Sequence, residues 1–286
     1  MPAAKELTVK TRRSYPTDLS DEEWAILRPL VPEAKLGGRP RAHRTRELLD
    51  AIFYVVRGGC AWRLLPHDFP PWQTAYHYFR VWRIDGTWEE VHATLRKRTR
   101  LREGRQEAPS AAIVDSQSVR TTEKRGIRGY DGAKKINGRK RHLLVDTGGL
   151  VMKAKVHPAD LADREGARML LDRVGESFPS IRYLWADAGY RGADLRRWIT
   201  EGLGLSLEIV QRKPRWVWVR NDVEPEPIPA GFEVLRRRWV VERTFAWICR
   251  NRRMSRDYEF LAETAEALIY VTMIRLMLIR LTKGPD

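Results

Sequence analysis

The sequence has few of the features that mark secreted or membrane-embedded proteins. Its two cysteines, Cys60 and Cys249, lack the spacing of a metal site, so we expect reduced thiols in a cytoplasmic protein. The first residues lack the apolar segment of a signal peptide. The apolar run 265–281 is interrupted by Arg275 and Arg280, which predicts a buried helix rather than a membrane span.

Acidic residues are scarce relative to basic ones. The chain carries 53 Lys and Arg against 37 Asp and Glu, which gives a formal net charge of +16. The excess is concentrated in residues 96–141 and 211–253. Such a charge favours a polyanionic partner, and the alternative is a solvated basic surface. Membrane-surface binding is not indicated, because no clean basic amphipathic helix is present.

The first third of the chain has helical periodicity. Residues 1–17 are a basic leader that we expect to be disordered, and residues 18–104 predict an all-helical domain. Capping boxes are predicted at residues 20–23 and 87–90, where a hydroxyl residue precedes a glutamate by three positions. The helices over residues 45–57 and 72–83 are candidates for a helix-turn-helix-like unit.

The pattern changes in residues 105–286, where short β-like runs alternate with helical segments. This order predicts a mixed sheet flanked by helices, and the whole chain is therefore assigned to the α/β (α+β) class. A basic, proline-containing insertion is expected at residues 212–237. The predicted strands cover residues 111–116, 140–146, 150–156, 181–186 and 205–211.

Three carboxylates occupy positions that could place them in one site. Asp115 and Asp187 each end an apolar, strand-like run, and Glu242 lies in a helical pattern. Strands of an α/β fold deliver their terminal side chains to one edge of the sheet. Carboxylate oxygens suit Mg²⁺, and zinc is disfavoured because no His or Cys clusters with these acids. Taken singly, each acid could equally be structural, and Glu242 could pair with Arg238 one turn earlier.

The residues around these acids resemble the DDE transposases of bacterial insertion sequences, in the insertion-sequence-five-like group. The resemblance covers residues 18–283 or nearly so, including the helical part around residues 59–82. Four stretches carry it, namely residues 113–118, 132–146, 186–192 and 238–247.

The resemblance implies an RNase H-like catalytic domain in which Asp115, Asp187 and Glu242 bind two Mg²⁺ ions, with Mn²⁺ as a substitute. The wider family carries a Tyr-x2-Arg-x3-Glu-x6-Lys signature around its glutamate. Arg238 and Glu242 match this signature, whereas Leu235 and Cys249 stand at its Tyr and Lys positions.

Basic and polar side chains near these motifs are candidates for DNA contact, with solvated charge as the alternative. Near the two aspartates and the glutamate, the candidate phosphate contacts are Lys134, Lys135, Arg139, Lys140, Arg238 and Arg243. On the polar side of the predicted helix 72–83, the candidate sequence readers are Gln73, Thr74, His77 and Arg80.

These expectations together describe an insertion-sequence transposase. It would bind double-stranded DNA, both terminal inverted repeats and target, as a homodimer or larger assembly in the cytoplasm. Three alternatives stay open from the sequence. They are an RNase H-like nuclease without strand transfer, a non-catalytic DNA-binding relic of a transposase, and a structural RNA-binding module.

Overall fold

The computed structural model describes residues 12–33, 42–122, 126–210 and 236–284, and of residues 236–238 it describes the backbone alone. The expected insertion at 212–237 therefore lies almost wholly outside the described residues.

The described end of the leader is packed against the helical part, which corrects the expectation of disorder for residues 12–17. Arg12 forms an ion pair with Asp18 at 2.7 Å and lies over the ring of Phe69. Tyr15 stacks on the same Phe69 ring, with centroids 5.1 Å apart. This stretch is ordered because a cation and an aromatic ring each find a specific partner there.

Four α-helices follow among the described residues of the first part of the chain. Ser20 caps the first through the predicted capping box, since its hydroxyl accepts from the Glu23 amide at 3.1 Å. The second predicted box is wrong, because Thr87 is already inside the helix and Asp85 accepts its amide and hydroxyl protons. The helices are α1 Asp21–Leu27, α2 Thr45–Gly58, α3 Trp72–Ile84 and α4 Thr87–Arg102.

A six-stranded mixed sheet forms the second part within the described residues. The central strand β1 pairs antiparallel with β3 and parallel with β5, and β6 continues the parallel side. Strands β2 and β4 both pair with β3. The strands are β1 Ala111–Arg120, β2 Gly129–Asp131, β3 Ile136–Asp146, β4 Val151–Pro158, β5 Tyr183–Ala186 and β6 Ser206–Ile209.

Helices cover both faces of this sheet. Because strand side chains alternate, Ile113 and Leu143 enter the core under α8 and α9, whereas Val114 and Leu144 enter the core under α5–α7. In the described ranges, no helix combines the length and apolar character needed to cross a membrane. These flanking helices are α5 Asp163–Leu171, α6 Val174–Ser177, α7 Ala193–Arg197, α8 Arg236–Cys249 and α9 Ala262–Lys283.

The α/β class is confirmed, with a helical part that precedes a mixed-sheet part. The two parts share one hydrophobic core, since α4 packs along α9 and buried residues of α2–α4 join the cluster that lies on the sheet. Arg96 of α4 donates to the Met152 carbonyl at 3.3 Å, and the Tyr270 hydroxyl of α9 accepts from the Ala154 amide at 3.1 Å. The division at residues 104 and 105 stays a prediction, made across a continuous core.

Candidate active site

The sheet register brings Asp115 and Asp187 next to each other. Ile113 pairs with Trp185 and Val114 with Ala186 on parallel neighbouring strands, so the next position on each is an aspartate. Both aspartates and Ile113 line one small cavity. Asp187 follows the end of β5, as the sequence predicted. The strand-end prediction is wrong for Asp115, because β1 continues to Arg120 and pairs Asp115 with Leu143 of β3. The two acids lie where the parallel pairing of β1 with β5 stops.

Helix α8 closes this cavity from one face of the sheet. Val241 lines the cavity together with the two aspartates, and the next residue, Glu242, is exposed. Further along the helix, the Cys249 sulfur lies 3.6 Å from the side-chain amide of Gln117. Gln117 and Asp115 are two residues apart on one strand and so share a face. Cys249, at the signature's Lys position, therefore contacts the strand that carries Asp115.

Short local bonds orient each aspartate. Asp115 Oδ1 accepts from the backbone amide of Ser116 at 2.7 Å. Asp187 Oδ1 accepts from the amide of Gly189 at 2.8 Å and caps the turn Ala188–Tyr190. Each carboxylate therefore has one oxygen engaged by its own backbone, which limits the rotamers it can adopt.

The carboxylate oxygens at this cavity suit a hard divalent cation, although the three acidic side chains are not grouped as a complete set of metal ligands. Asp115 and Asp187 offer carboxylate oxygens on one cavity, and Glu242 follows the cavity-lining Val241. Within the part of the chain that the structure describes, no three His, Cys, Asp or Glu side chains are grouped closely enough to hold a metal ion. Oxygen donors of this kind fit magnesium or manganese rather than zinc.

Sequence reasoning missed a polar layer on the opposite face of β1. Ser116 donates to Asp163 at 2.8 Å, and Lys140 forms an ion pair with the same carboxylate at 3.0 Å. Burial opposes ionisation of Asp163, but the hydrogen bonds from Lys140 and Ser116 outweigh it and hold its pKa below the ordinary value. The Tyr190 ring, also buried, lies in the same layer. Only the alternation of Asp115 and Ser116 on one strand hinted at it.

Two of the predicted phosphate contacts are internal, which is a correction. Arg139 is 1% exposed and donates to the carbonyls of Ile127, Glu259 and Phe260 at 2.7–3.0 Å. Lys140 is also buried, because its ammonium bonds to Asp163. Their cationic ends are used to satisfy carbonyls and a carboxylate inside the protein, so the structure leaves them no route to a DNA phosphate.

The other basic candidates differ in accessibility. Lys134 and Lys135 are exposed on the turn before β3. Arg243 is partly buried, with its guanidinium 4.7 Å from the ring centroids of Trp239 and Trp247 and a bond to the Gly148 carbonyl at 2.9 Å. The side chain of Arg238 lies outside the described residues.

The predicted reading face of α3 is on the surface. Gln73, His77 and Arg80 are exposed and Thr74 is half-buried, whereas Phe79 on the other side belongs to the core. The connection from α2, residues 59–71, is much longer than the three or four residues of a helix-turn-helix. The likeness to that motif therefore stays a prediction, supported by the exposed polar face alone.

Comparison with known proteins gives the family. The profile described as a transposase DDE domain matches residues 106–277, more than half of the chain. A second profile, for transposases of the IS4/5 family, matches residues 19–92. The chain therefore belongs to the DDE transposases.

Two individual relatives are also similar to the chain, and the name of the first places it in an insertion element. The chain is 31% identical over 112 residues to the insertion element IS402 uncharacterized 16.2 kDa protein of Burkholderia cepacia. This match covers 36% of the chain and 72% of the relative. The chain is also 29% identical over 83 residues to the uncharacterized protein y4sN of Sinorhizobium fredii. This second match covers 29% of the chain and 66% of that protein.

Proposed function

We propose that this chain binds the terminal inverted repeats of its insertion sequence, cleaves the DNA at the element ends and joins the freed 3′ ends to target DNA. The observation that carries the proposal is the placement of Asp115 and Asp187 next to the last paired residues of the β1–β5 ladder, on a cavity closed by the helix that bears Glu242. The chain's membership of the DDE transposases supports the same reaction class.

Asp115, Asp187 and Glu242 are the residues that would hold two Mg²⁺ ions, or Mn²⁺ in their place. When bound, the ions supply Lewis-acid stabilisation of the phosphate and lower the pKa of water. The two aspartates supply fixed negative charge where the parallel pairing of β1 with β5 ends, and their backbone hydrogen bonds keep that charge in place. Glu242 lies on α8, so the packing of α8 against the sheet sets its distance from the two aspartates.

The chemistry is one hydrolysis of a phosphodiester followed by one transesterification. In the first, the oxygen of water bonds to phosphorus as the bond to the 3′ oxygen breaks, which leaves a 3′-hydroxyl on the element end. In the second, that hydroxyl attacks a phosphodiester of the target and displaces the target's own 3′ oxygen. The DNA supplies both the nucleophile and the leaving group of the joining step. No covalent bond to the protein is needed, so no serine or tyrosine nucleophile is required.

The substrate and assembly follow from the same proposal. Double-stranded DNA, as terminal repeat and as target, would contact the exposed Lys134 and Lys135 and the polar face of α3. Residues 18–104 would read the repeat, and residues 105–286 would carry the chemistry. Both element ends must be brought together at one target, so a homodimer or larger assembly on the nucleoid, in the cytoplasm, is proposed.

Cleavage of DNA that carries the inverted repeats bracketing the reading frame tests the carboxylates. Asp115→Asn, Asp187→Asn and Glu242→Gln should each abolish Mg²⁺-dependent cleavage and leave repeat binding intact. Asp194→Asn, a change at an exposed aspartate on α7, is the matched control and should cleave normally. Near-normal cleavage by any one triad variant would remove that residue from the metal site.

A joining assay separates transposition from its rivals. With pre-cleaved ends and plasmid target, a transposase should give joined products in Mg²⁺. Cleavage without joining would indicate an RNase H-like nuclease, and repeat binding without cleavage would indicate a DNA-binding relic. Tighter binding to structured RNA than to repeat DNA would favour the RNA-binding alternative.

A further inference from the structure

Three buried side chains form a continuous hydrogen-bonded chain beneath the two aspartates. The Tyr190 hydroxyl lies 2.6 Å from His142 Nε2, and His142 Nδ1 lies 2.8 Å from His157 Nε2. His157 Nδ1 then lies 2.9 Å from the carbonyl oxygen of Pro158. Tyr190, His142 and His157 are each 1% exposed or less. This series of hydrogen bonds therefore links the turn after β5 to the middle of β3 and the end of β4.

The last acceptor fixes the direction of every bond in this chain. The Pro158 carbonyl can only accept, so His157 Nδ1 carries the proton and, in the neutral ring, His157 Nε2 accepts. His142 must then donate through Nδ1 and accept through Nε2. Because Nε2 of His142 carries no proton in this arrangement, the Tyr190 hydroxyl is the donor to it. Each ring nitrogen then has a single role, as donor or as acceptor, and no two hydrogens face each other.

The surroundings favour this neutral arrangement. Burial and the neighbouring His157 lower the pKa of His142 to about 3, and burial lowers the pKa of His157 as well. Burial and the charges of Asp115, Asp163 and Asp187 raise the pKa of Tyr190 well above its ordinary value. The phenol therefore keeps its proton and can donate it to the neutral ring of His142.

Tyr190 is connected to both aspartates of the site. Its backbone amide donates to the Asp187 carbonyl at 3.2 Å and closes the turn that Asp187 caps. Its ring lies on the face of β1 opposite Asp115, beside Ser116, whose register partner on β3 is His142. The hydroxyl thus anchors the Asp187 turn to the centre of the sheet.

We propose that Tyr190 is a positioning residue, whose hydroxyl, bonded to the His142–His157 pair, fixes the turn after β5 and so sets Asp187 beside Asp115. The effect on metal binding rests on the proposed function, whereas the position of the turn after β5 can be tested without metal or DNA. Gly166 of α5 is consistent with it, because a Cβ there would come within 2.6 Å of both imidazole rings. The helix keeps a glycine where the histidine pair needs the space.

Imidazole nitrogen spectra of the full-length protein test the order of the chain. With ¹⁵N-labelled histidine at neutral pH, both His142 and His157 should be neutral and protonated on Nδ1, which is the less common tautomer in water. Protonation of either ring on Nε2, or on both nitrogens, would overturn the proposed chain. This measurement requires no variant, metal or DNA.

Tyr190→Phe tests the positioning role, with Tyr183→Phe as the matched control because Tyr183 is exposed on β5. The Gly189 amide, which bonds to Asp187, should exchange with deuterium faster by about tenfold in Tyr190→Phe and at the wild-type rate in Tyr183→Phe. Mn²⁺ affinity, measured by calorimetry on the DNA-free protein, should fall by about tenfold or more. An unchanged amide rate in a folded Tyr190→Phe variant would overturn the positioning role.

The two measurements separate this inference from the proposed function. Wild-type protein that binds no Mn²⁺ would count against the metal site, whereas the amide rate would still test the turn. Mn²⁺ binding that is abolished in Asp115→Asn but unchanged in Tyr190→Phe would support the metal site and overturn the role of Tyr190. Should Tyr190→Phe fail to fold, the tautomers in the wild-type protein decide, together with exchange of the Gly189 amide in a Gly166→Ala variant, in which the pair is displaced.

Discussion

Asp146, at the end of β3, and Arg100, on α4, form an ion pair that is buried on both sides, with side chains 0% and 4% exposed. Asp146 also accepts the amides of Gly148 and Leu150 at 2.8 and 2.9 Å, so the same carboxylate shapes the turn between β3 and β4. The helical part and the sheet are therefore joined by a buried charge pair as well as by a shared apolar core.

Removing one member of this pair should destabilise the whole protein. Arg100→Met leaves the Asp146 carboxylate buried without its closest cation, and such changes cost about 3–5 kcal/mol. Urea unfolding of the full chain measures the change. Lys97→Met on the same helix is the control, because its ion pair with Glu107 is half-exposed and contributes about 0.5 kcal/mol or less. Equal midpoints for the two variants would show that the Arg100 pair is not structural.

Local patterns predicted the backbone of the site well. The apolar runs before Asp115 and Asp187 identified two strands, and their parallel pairing in the structure places the acids together. Strand β2 was missed, because a three-residue strand has too little alternation to recognise. The second capping box was wrong because the helix begins at Thr87, and Asp85, two residues earlier, accepts the Thr87 amide and hydroxyl protons. A rule based on spacing alone does not resolve a shift of two residues.

Contacts between residues distant in sequence could not be predicted. Arg139 looked like a DNA contact because it lies in a basic run, yet its carbonyl partners at residues 259 and 260 come from the other end of the chain. The bond between Tyr190 and His142 likewise joins the turn after β5 to β3, which are 48 residues apart in sequence. A run of basic residues in the sequence shows where positive charge is concentrated. It does not show whether a cation is buried, because that depends on carbonyl groups that the fold brings from distant parts of the sequence.

Exposed and buried cations near the site should respond differently to substitution. Lys134→Ala combined with Lys135→Ala should weaken DNA binding and reduce the salt slope by about one unit for each phosphate that the lysines neutralise, without changing the melting temperature. Arg139→Ala should instead destabilise the fold, since it leaves the buried Asp257 without its ion-pair partner at 3.3 Å. Binding titrations at several salt concentrations, beside melting curves, distinguish the two effects. A salt slope equal to that of the wild type in the double lysine variant would exclude that turn from the DNA interface.

The polar face of α3 should be tested in the full chain, because the helical part shares its core with α9. Arg80→Ala should reduce affinity for terminal-repeat DNA, and Gln73→Ala should reduce the preference for repeat over random DNA by about 1–3 kcal/mol if it reads a base. Arg197→Ala, at an exposed arginine of α7, serves as the control for general loss of charge. Should Arg80→Ala and Arg197→Ala weaken binding equally and non-specifically, recognition of the repeat belongs to another surface.

His92 should make the stability of the protein sensitive to acid. The ring lies on α4 beside Tyr270, is 1% exposed, and its Nε2 has no hydrogen-bond partner among the described residues. Burial, reinforced by the charge of Arg96, lowers the pKa of His92 well below its ordinary value. As the pH falls, the unfolded chain therefore takes up a proton on this ring before the folded protein does. The stability is fully present above the unfolded pKa of about 6.5. Below that pH the free energy of unfolding falls by up to about 1.4 kcal/mol per pH unit.

Replacing this ring tests the sign of that dependence. His92→Leu, of similar volume, removes both the titrating group and the unpaired nitrogen, so its stability at pH 7 should equal or exceed that of the wild type. Between about pH 6.5 and 5 it should lose less stability than the wild type, and the difference should grow steadily as the pH falls. Urea midpoints at half-unit pH steps measure this, with the exposed His67→Gln as the control that should follow the wild-type curve. Parallel curves for His92→Leu and the wild type would mean that His92 takes up its proton in the folded protein, against the burial argument.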